Sequence, residues 1–229
     1  MFGLLKAAKN LVFDFPRALK KAFKEGGGWM YIILVVSVIG VGIIVERFIF
    51  LFFKYNINAT AFMAQIQKLV MANNIDRAIK LCNAAPTAAL PKVIKAGLTR
   101  ANKGEAEIQS AVEEAMLEVI PHIQKRTPAL QGVANVATLL GLLGTIIGLI
   151  EAFAALEFAA PDQRQQVLSR GIALAMNTTA FGLIVAIPCI FAHMILSGVT
   201  KRIIDEIDQY SVKLQNLLTS RGKGAASGG

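Results

Sequence analysis

Residues 134–153 read ANVATLLGLLGTIIGLIEAF and residues 171–194 read GIALAMNTTAFGLIVAIPCIFAHM, and these two stretches decide the fold. From Gly171 to Thr200 there is no Asp, Glu, Lys or Arg, and from Thr127 to Leu156 the one charged residue is Glu151. Apolar runs of about 20 residues or more cross a bilayer as helices, because a helix satisfies its own backbone hydrogen bonds where water is absent. The polar stretch between the two runs holds Pro161 and Asp162 and turns the chain back. Two spans joined by a short turn make a helical hairpin.

Toward the N-terminus a third apolar run extends from Trp29 to Phe53, with Trp29 and Tyr31 as an interfacial anchor. Glu46 and Arg47 interrupt it near the far end. Adjacent residues on a helix do not face each other. Glu46 is therefore expected to face another helix or the headgroups, and Arg47 to snorkel along the apolar surface. With Glu151 they are the candidate polar contacts within the membrane. Ahead of this run Leu4, Leu5, Ala8, Leu11, Val12, Phe15, Leu19 and Phe23 share one helical face, opposite most of the Lys and Arg. That pattern predicts a helix lying in the membrane interface, divided at Pro16, and fits equally a helix packed on the protein's own surface. The segment is too charged for a signal peptide, and the run after it is too long.

Between the first and second spans, Phe62, Ile66, Leu69 and Val70 recur at helical spacing and Asn74 to Asp76 mark a second helix start. Pro86 and Pro91 mark a turn, and a further amphipathic helix over Glu105 to Lys125 is expected to break or bend at Pro121. After the third span Ile203, Ile204, Ile207, Leu214, Leu217 and Leu218 continue a helical pattern. A continuous helix over 171–218 would reach about 72 Å, well beyond a bilayer.

The expected fold is an all-α membrane protein with three transmembrane helices, a helical cytoplasmic domain and long helices extending into the cytoplasm. Its parts are an amphipathic interfacial helix over 1–28, spans over 29–53, 129–156 and 171–200, and a cytoplasmic helical domain over 54–128. A periplasmic loop over 157–170, an amphipathic cytoplasmic helix over 201–220 and a disordered tail over 221–229 complete it. Residues 54–131 carry ten Lys and Arg and the stretch after 198 carries five, against two in 157–170. The positive-inside rule then puts the large segment and the C-terminus in the cytoplasm. Six Lys and Arg in the N-terminal segment oppose this, since three spans place that end outside.

A net charge of +9 does not mark a nucleic-acid binder, because the basic residues are dispersed with no clustered face bearing interleaved aromatics. Basic flanks suit membrane insertion and anionic headgroups. Cys82 and Cys189 give neither a disulfide framework nor a zinc spacing, so no metal and no cofactor is expected. Motifs of hydrolases, P-loop proteins and zinc proteases are absent from the sequence, and an enzyme is not expected.

Within the hairpin, Gly141, Gly144 and Gly148 line one helix with small residues, and Thr178, Gly182 and Ala186 line the other. Such stripes let helix backbones approach closely. Pro188 supplies a kink or a purely structural feature of the same packing. Thr145, Thr178, Thr179 and Asn177 need another reason, because polar groups at membrane depth face a bundle interior or a wet path. By residue count Thr145 and Thr179 differ in depth by about 4–5 Å, so their hydroxyls can meet. Hydroxyls donate and accept hydrogen bonds but do not titrate near neutral pH. The span carboxylates Glu46 and Glu151 lie toward the ends of their spans, so if protons pass here the titrating carboxylate is expected to arrive on another polypeptide.

The segments ATLLGLLGTIIGLIEAF at 137–153 and TTAFGLIVAIP at 178–188 resemble the two signature helices of the MotA/TolQ/ExbB proton channel family, and the three-span order resembles its TolQ/ExbB branch. The resemblance implies a subunit of an ion-driven motor in a bacterial inner membrane, with five copies around two copies of a single-span partner resembling ExbD or TolR. It assigns the pore threonines to Thr145 and Thr179. ExbB and TolQ proteins commonly carry a glutamate about five positions before the second threonine, where Leu174 stands here, which leaves room for a specialised branch such as a gliding-motility motor. The competing expectation is a membrane scaffold that docks cytoplasmic partners without conducting ions.

Overall fold

The computed structural model describes residues 28–51 and 57–226. Its helices are α1 (Trp29–Ile49), α2 (Ala59–Met71), α3 (Ile75–Asn83), α4 (Ala89–Thr99), α5 (Glu105–Gln124), α6 (Thr127–Glu157) and α7 (Arg164–Ala226). Among the described residues there is no strand. Three stretches are long and apolar enough to cross a membrane: α1, one within Glu105–Glu157 and one within Arg164–Ser220. The expected all-α, three-span architecture holds. The amphipathic helix expected over 1–28 lies outside the described residues except for Gly28.

The chain forms two compact units, one of residues up to Ile44 with Ala129–His193, the other of Val45–Pro128 with Met194 onward. In the first, Met30 and Ile33 of α1 pack with Ala134 and Ala137 of α6 and Phe181, Val185, Ala186 and Cys189 of α7. The approach is close: a Cβ placed on Gly40 of α1 would stand 2.9 Å from Cys189 Sγ and 3.1 Å from Val133 Cγ1.

The second unit is built on buried aliphatic side chains, among them Ile66, Val70, Val93, Ile94, Leu98, Ile123, Ile207 and Leu214. Consecutive helices α2 to α5 pack on one another. At Gly97 of α4 a Cβ would stand 2.8 Å from Val112 of α5 and 2.9 Å from Leu214 of α7. Asn58 caps α2 by accepting from the Ala61 N–H at 3.1 Å. Asn73 reverses the chain at φ 61, a left-handed conformation that Asn tolerates through its short polar side chain. The helix start expected at Asn74 is present, since α3 opens at Ile75.

Several boundaries differ from those expected. Pro91 lies in the first turn of α4 rather than in the turn before it, where a missing N–H costs no helical bond. Helix α5 runs through Pro121 to Gln124, because a proline one turn from the end removes a single intrahelical bond. The break falls instead at Lys125 and Arg126, the latter at φ 65. The 157–170 segment is mostly helical, since α7 starts at Arg164 and leaves a turn over 158–163. Helix α7 continues without interruption through Ala226, so 221–226 extend it rather than belong to a tail. Propagating a helix that is already nucleated costs little per residue. Residues 227–229 lie outside the described residues. Helix α1 runs to Ile49 and is followed by a π-type turn at Phe50 and Leu51; the expected end of the first span at Phe53 lies outside the described residues.

Candidate functional site: a hydroxyl pair in a glycine-packed hairpin

Glycines set the spacing between α6 and α7. A Cβ on Gly182 would stand 2.7 Å from the Ala137 carbonyl oxygen and 3.0 Å from Gly141 Cα. One on Gly141 would stand 3.2 Å from Thr179 Cα, and one on Gly148 3.3 Å from Ala175 Cα. At Gly182 the neighbour is a backbone atom that cannot swing aside, so the hairpin reaches this approach only without a side chain there, and Gly141 and Gly148 leave little room beside it. A Cβ on Gly144 would instead run into the side chain of Thr178 and stand 3.5 Å from Trp29 Cβ. Lipid tails are as apolar as leucine, so helices in a bilayer associate through such close fits and interhelical hydrogen bonds rather than through burial from water.

The close approach brings Thr145 and Thr179 together, and their hydroxyls are hydrogen-bonded to each other across the hairpin. The Thr145 hydroxyl also reaches the Gly141 carbonyl of its own helix at 3.2 Å and the Ala175 carbonyl of α7 at 3.1 Å. The Thr179 hydroxyl reaches the Gly141 carbonyl of α6 at 3.0 Å. Each hydroxyl has one proton and more acceptors than it can use at once. The pair can therefore exchange donor and acceptor roles, with Gly141 and Ala175 taking whichever proton is turned away. Both threonines are half-buried.

The neighbouring polar residues behave differently. Thr178 is 2% exposed and donates to the Leu174 carbonyl at 3.2 Å, one turn back on its own helix. Asn177 is half-buried and makes no hydrogen bond to the threonine pair. Pro188 lies within α7, whose helix continues past it. Glu46 does face another segment, pairing with Arg126, which lies 80 residues on. Arg47, expected to snorkel along the apolar surface, is 3% exposed and engaged within the fold.

Two cavities open beside the hairpin, and no periodicity in the sequence announces them. One, of about 360 Å³, is lined by Gly28, Trp29 and Ile32 of the first span and by Gly144, Gly148, Glu151, Ala175 and Thr178 among others. The other, of about 530 Å³ toward the turn, is lined by Ala155, Val167, Arg170 and Gly171 and again by Gly148, Glu151 and Leu174. Trp29, expected as an interfacial anchor, thus also walls a cavity. No group of His, Cys, Asp and Glu that could hold a metal occurs among the described residues. Outside the spans, burial pushes the Cys82 thiol up to about 11, with Lys95 pulling weakly the other way.

A multi-pass helical membrane protein with a hydroxyl-bearing, glycine-packed hairpin is the class that fold and site define. A model of the MotA/TolQ/ExbB proton channel family matches residues 86–209, more than half of the chain, and the chain belongs to that family. The resemblance read from residues 137–153 and 178–188 therefore holds. The family is one of proton channels, not of enzymes. The chain is similar to a biopolymer transport protein ExbB homolog of Methanothermobacter thermautotrophicus, 25% identical over 211 residues that make up 92% of this chain and 72% of that one. It is also similar to the Tol-Pal system protein TolQ of Haemophilus influenzae, 40% identical over 87 residues, 38% of each chain. Among solved structures, a chain in the structure of C. jejuni MotAB aligns at TM-score 0.47 and 14% identity, covering 93% of this chain and 92% of that one.

Proposed function

We propose that this chain is the channel-forming, stator-like subunit of an ion-driven motor in a bacterial inner membrane. In this reading it couples the proton motive force to mechanical work, such as outer-membrane energisation, transport or gliding. It works as a homo-oligomer of five copies around two copies of a single-span partner resembling ExbD or TolR, with its N-terminus periplasmic and its C-terminus cytoplasmic. The observation that supports the reading best is the hydroxyl pair of Thr145 and Thr179, bonded across the hairpin with spare carbonyl acceptors. A scaffold has no use for polar groups held there, whereas a proton passing a partner's carboxylate needs groups that both accept and donate. Among the described residues no carboxylate lines the threonine pair. Glu151 lies six residues along α6 from Thr145, about 9 Å in axial rise.

The test is proton flux through the complex, purified in mild detergent from its own membranes and reconstituted in vesicles with an internal pH dye. Thr145→Val and Thr179→Val keep volume and remove the hydroxyl. Each is expected to abolish flux and coupled work while native mass shows the assembly intact. Wild-type flux in both variants would refute the pore assignment. A wild-type complex that conducts nothing and carries no companion would leave the scaffold.

A further inference from the structure

The two cavities share Gly148, Glu151 and Leu174, so Glu151 stands at their junction. On the turn side the wall includes Val167, Arg170 and Gly171; on the inner side it includes Gly144, Ala175 and Thr178. Among the described residues Glu151 is the one carboxylate lining either space, and Arg170 of α7 is the one other charged group. The first span contributes Gly28, Trp29 and Ile32, none of which titrates. Among the described residues Glu151 makes no ion pair, with Arg170 or with any other cation. A carboxylate without a salt-bridge partner inside an apolar span is costly to keep, and such residues mark ion and proton paths.

We propose that Glu151 is the proton-uptake group of this chain, a carboxylate that takes protons at the turn end of the hairpin and releases them toward the threonine level. This deepens the channel reading above and rests on it. In the step, a Glu151 carboxylate oxygen accepts a proton from hydronium in the outer cavity and water departs. The new O–H bond then breaks as water in the inner cavity takes the proton on, restoring the carboxylate. The axial distance of about 9 Å between Glu151 and Thr145 is too long for direct transfer, which needs a heavy-atom separation of about 2.6–3.2 Å. An inner cavity of about 360 Å³ has room for the intervening water. Arg170 lines the outer cavity together with Glu151, so the carboxylate is the group there that can accept a proton.

Leu174 provides the decisive test, because it faces both cavities from the opposite helix. Flux through the reconstituted complex is compared for wild type, Glu151→Gln, Glu151→Asp and the double variant Glu151→Gln with Leu174→Glu, each checked for assembly by native mass. Loss of flux by about a hundredfold in Glu151→Gln is expected. Retention in Glu151→Asp and recovery in the double variant are expected too, since a carboxylate returns to the same junction. Flux of the wild-type size in Glu151→Gln would overturn the proposal. So would loss that neither Glu151→Asp nor the double variant repairs, which is the behaviour of a packing residue. If Glu151→Gln conducts normally while Thr145→Val does not, this inference fails and the channel reading stands. A silent wild type removes the channel reading itself.

Discussion

The two units of this chain are held together by opposite means. Of the twelve largest fully buried side chains, nine belong to the unit of Val45–Pro128 with Met194 onward: Leu51, Ile66, Val70, Val93, Ile94, Leu98, Ile123, Ile207 and Leu214. The unit that contains the hairpin turns most of its large apolar side chains outward, as Leu139, Ile146, Ile150, Phe153 and Ile187 show. Inside it, glycine and alanine meet backbone. One unit gains stability by removing aliphatic surface from water, at about 25 cal/mol per Å². The other sits in a solvent that rewards no such removal and relies on close approach and hydrogen bonds between helices. A given substitution therefore has a different cost in each.

The largest expected effect tests the hairpin. Gly182→Leu places a side chain where even a Cβ would stand 2.7 Å from the Ala137 carbonyl. Loss of the assembled complex on native mass is expected, whereas Gly42→Leu, where nothing lies within 4 Å of an added Cβ, is expected to assemble normally. Equal behaviour of the two variants would show that the close backbone approach at Gly182 does not hold the hairpin unit together.

Leu214→Ala examines the other mechanism. Truncating a fully buried leucine in the aliphatic unit is expected to cost about 2–5 kcal/mol, read as a lower melting midpoint in detergent. Leu139→Ala, 63% exposed on the hairpin, is expected to leave the midpoint unchanged. A larger loss for Leu139 would mean that the outward face is not solvated by lipid.

A smaller effect concerns Cys82, 2% exposed in the aliphatic unit. With its thiol held up to about 11 by burial, alkylation by a maleimide at pH 8 is expected to be slow until the unit opens. The folded state keeps this proton where the unfolded chain releases it, so the contribution of Cys82 to stability falls as pH rises from about 9 to about 11. Rapid labelling in the intact protein would show that the unit is open.

The smallest effect is expected at Glu46 and Arg126. Their side chains are 32% and 50% exposed, so Glu46→Ala is expected to cost no more than about 1 kcal/mol. Arg126→Gly removes the same pair but relieves a left-handed residue at φ 65, and a melting midpoint at or above that of Glu46→Ala is expected.

Sequence alone determined the three spans, because a bilayer admits only backbone that bonds itself, and Gly171 to Thr200 has no other use for thirty uncharged residues. It determined the signature of the hairpin too, since small residues at helical spacing signal where backbones approach. Tertiary structure decided what those residues touch. The axial count left Thr145 and Thr179 a few ångströms apart in depth; the offset fixed by Gly141 and Gly182 closes that gap. Likewise, nothing in the spacing announces that Glu46 meets Arg126, that Arg47 is enclosed, or that Trp29, Glu151 and Leu174 wall one cavity. Periodicity records which face of a helix is apolar. The rotation and offset of one helix against the next arise only when side chains from distant parts of the chain are packed together.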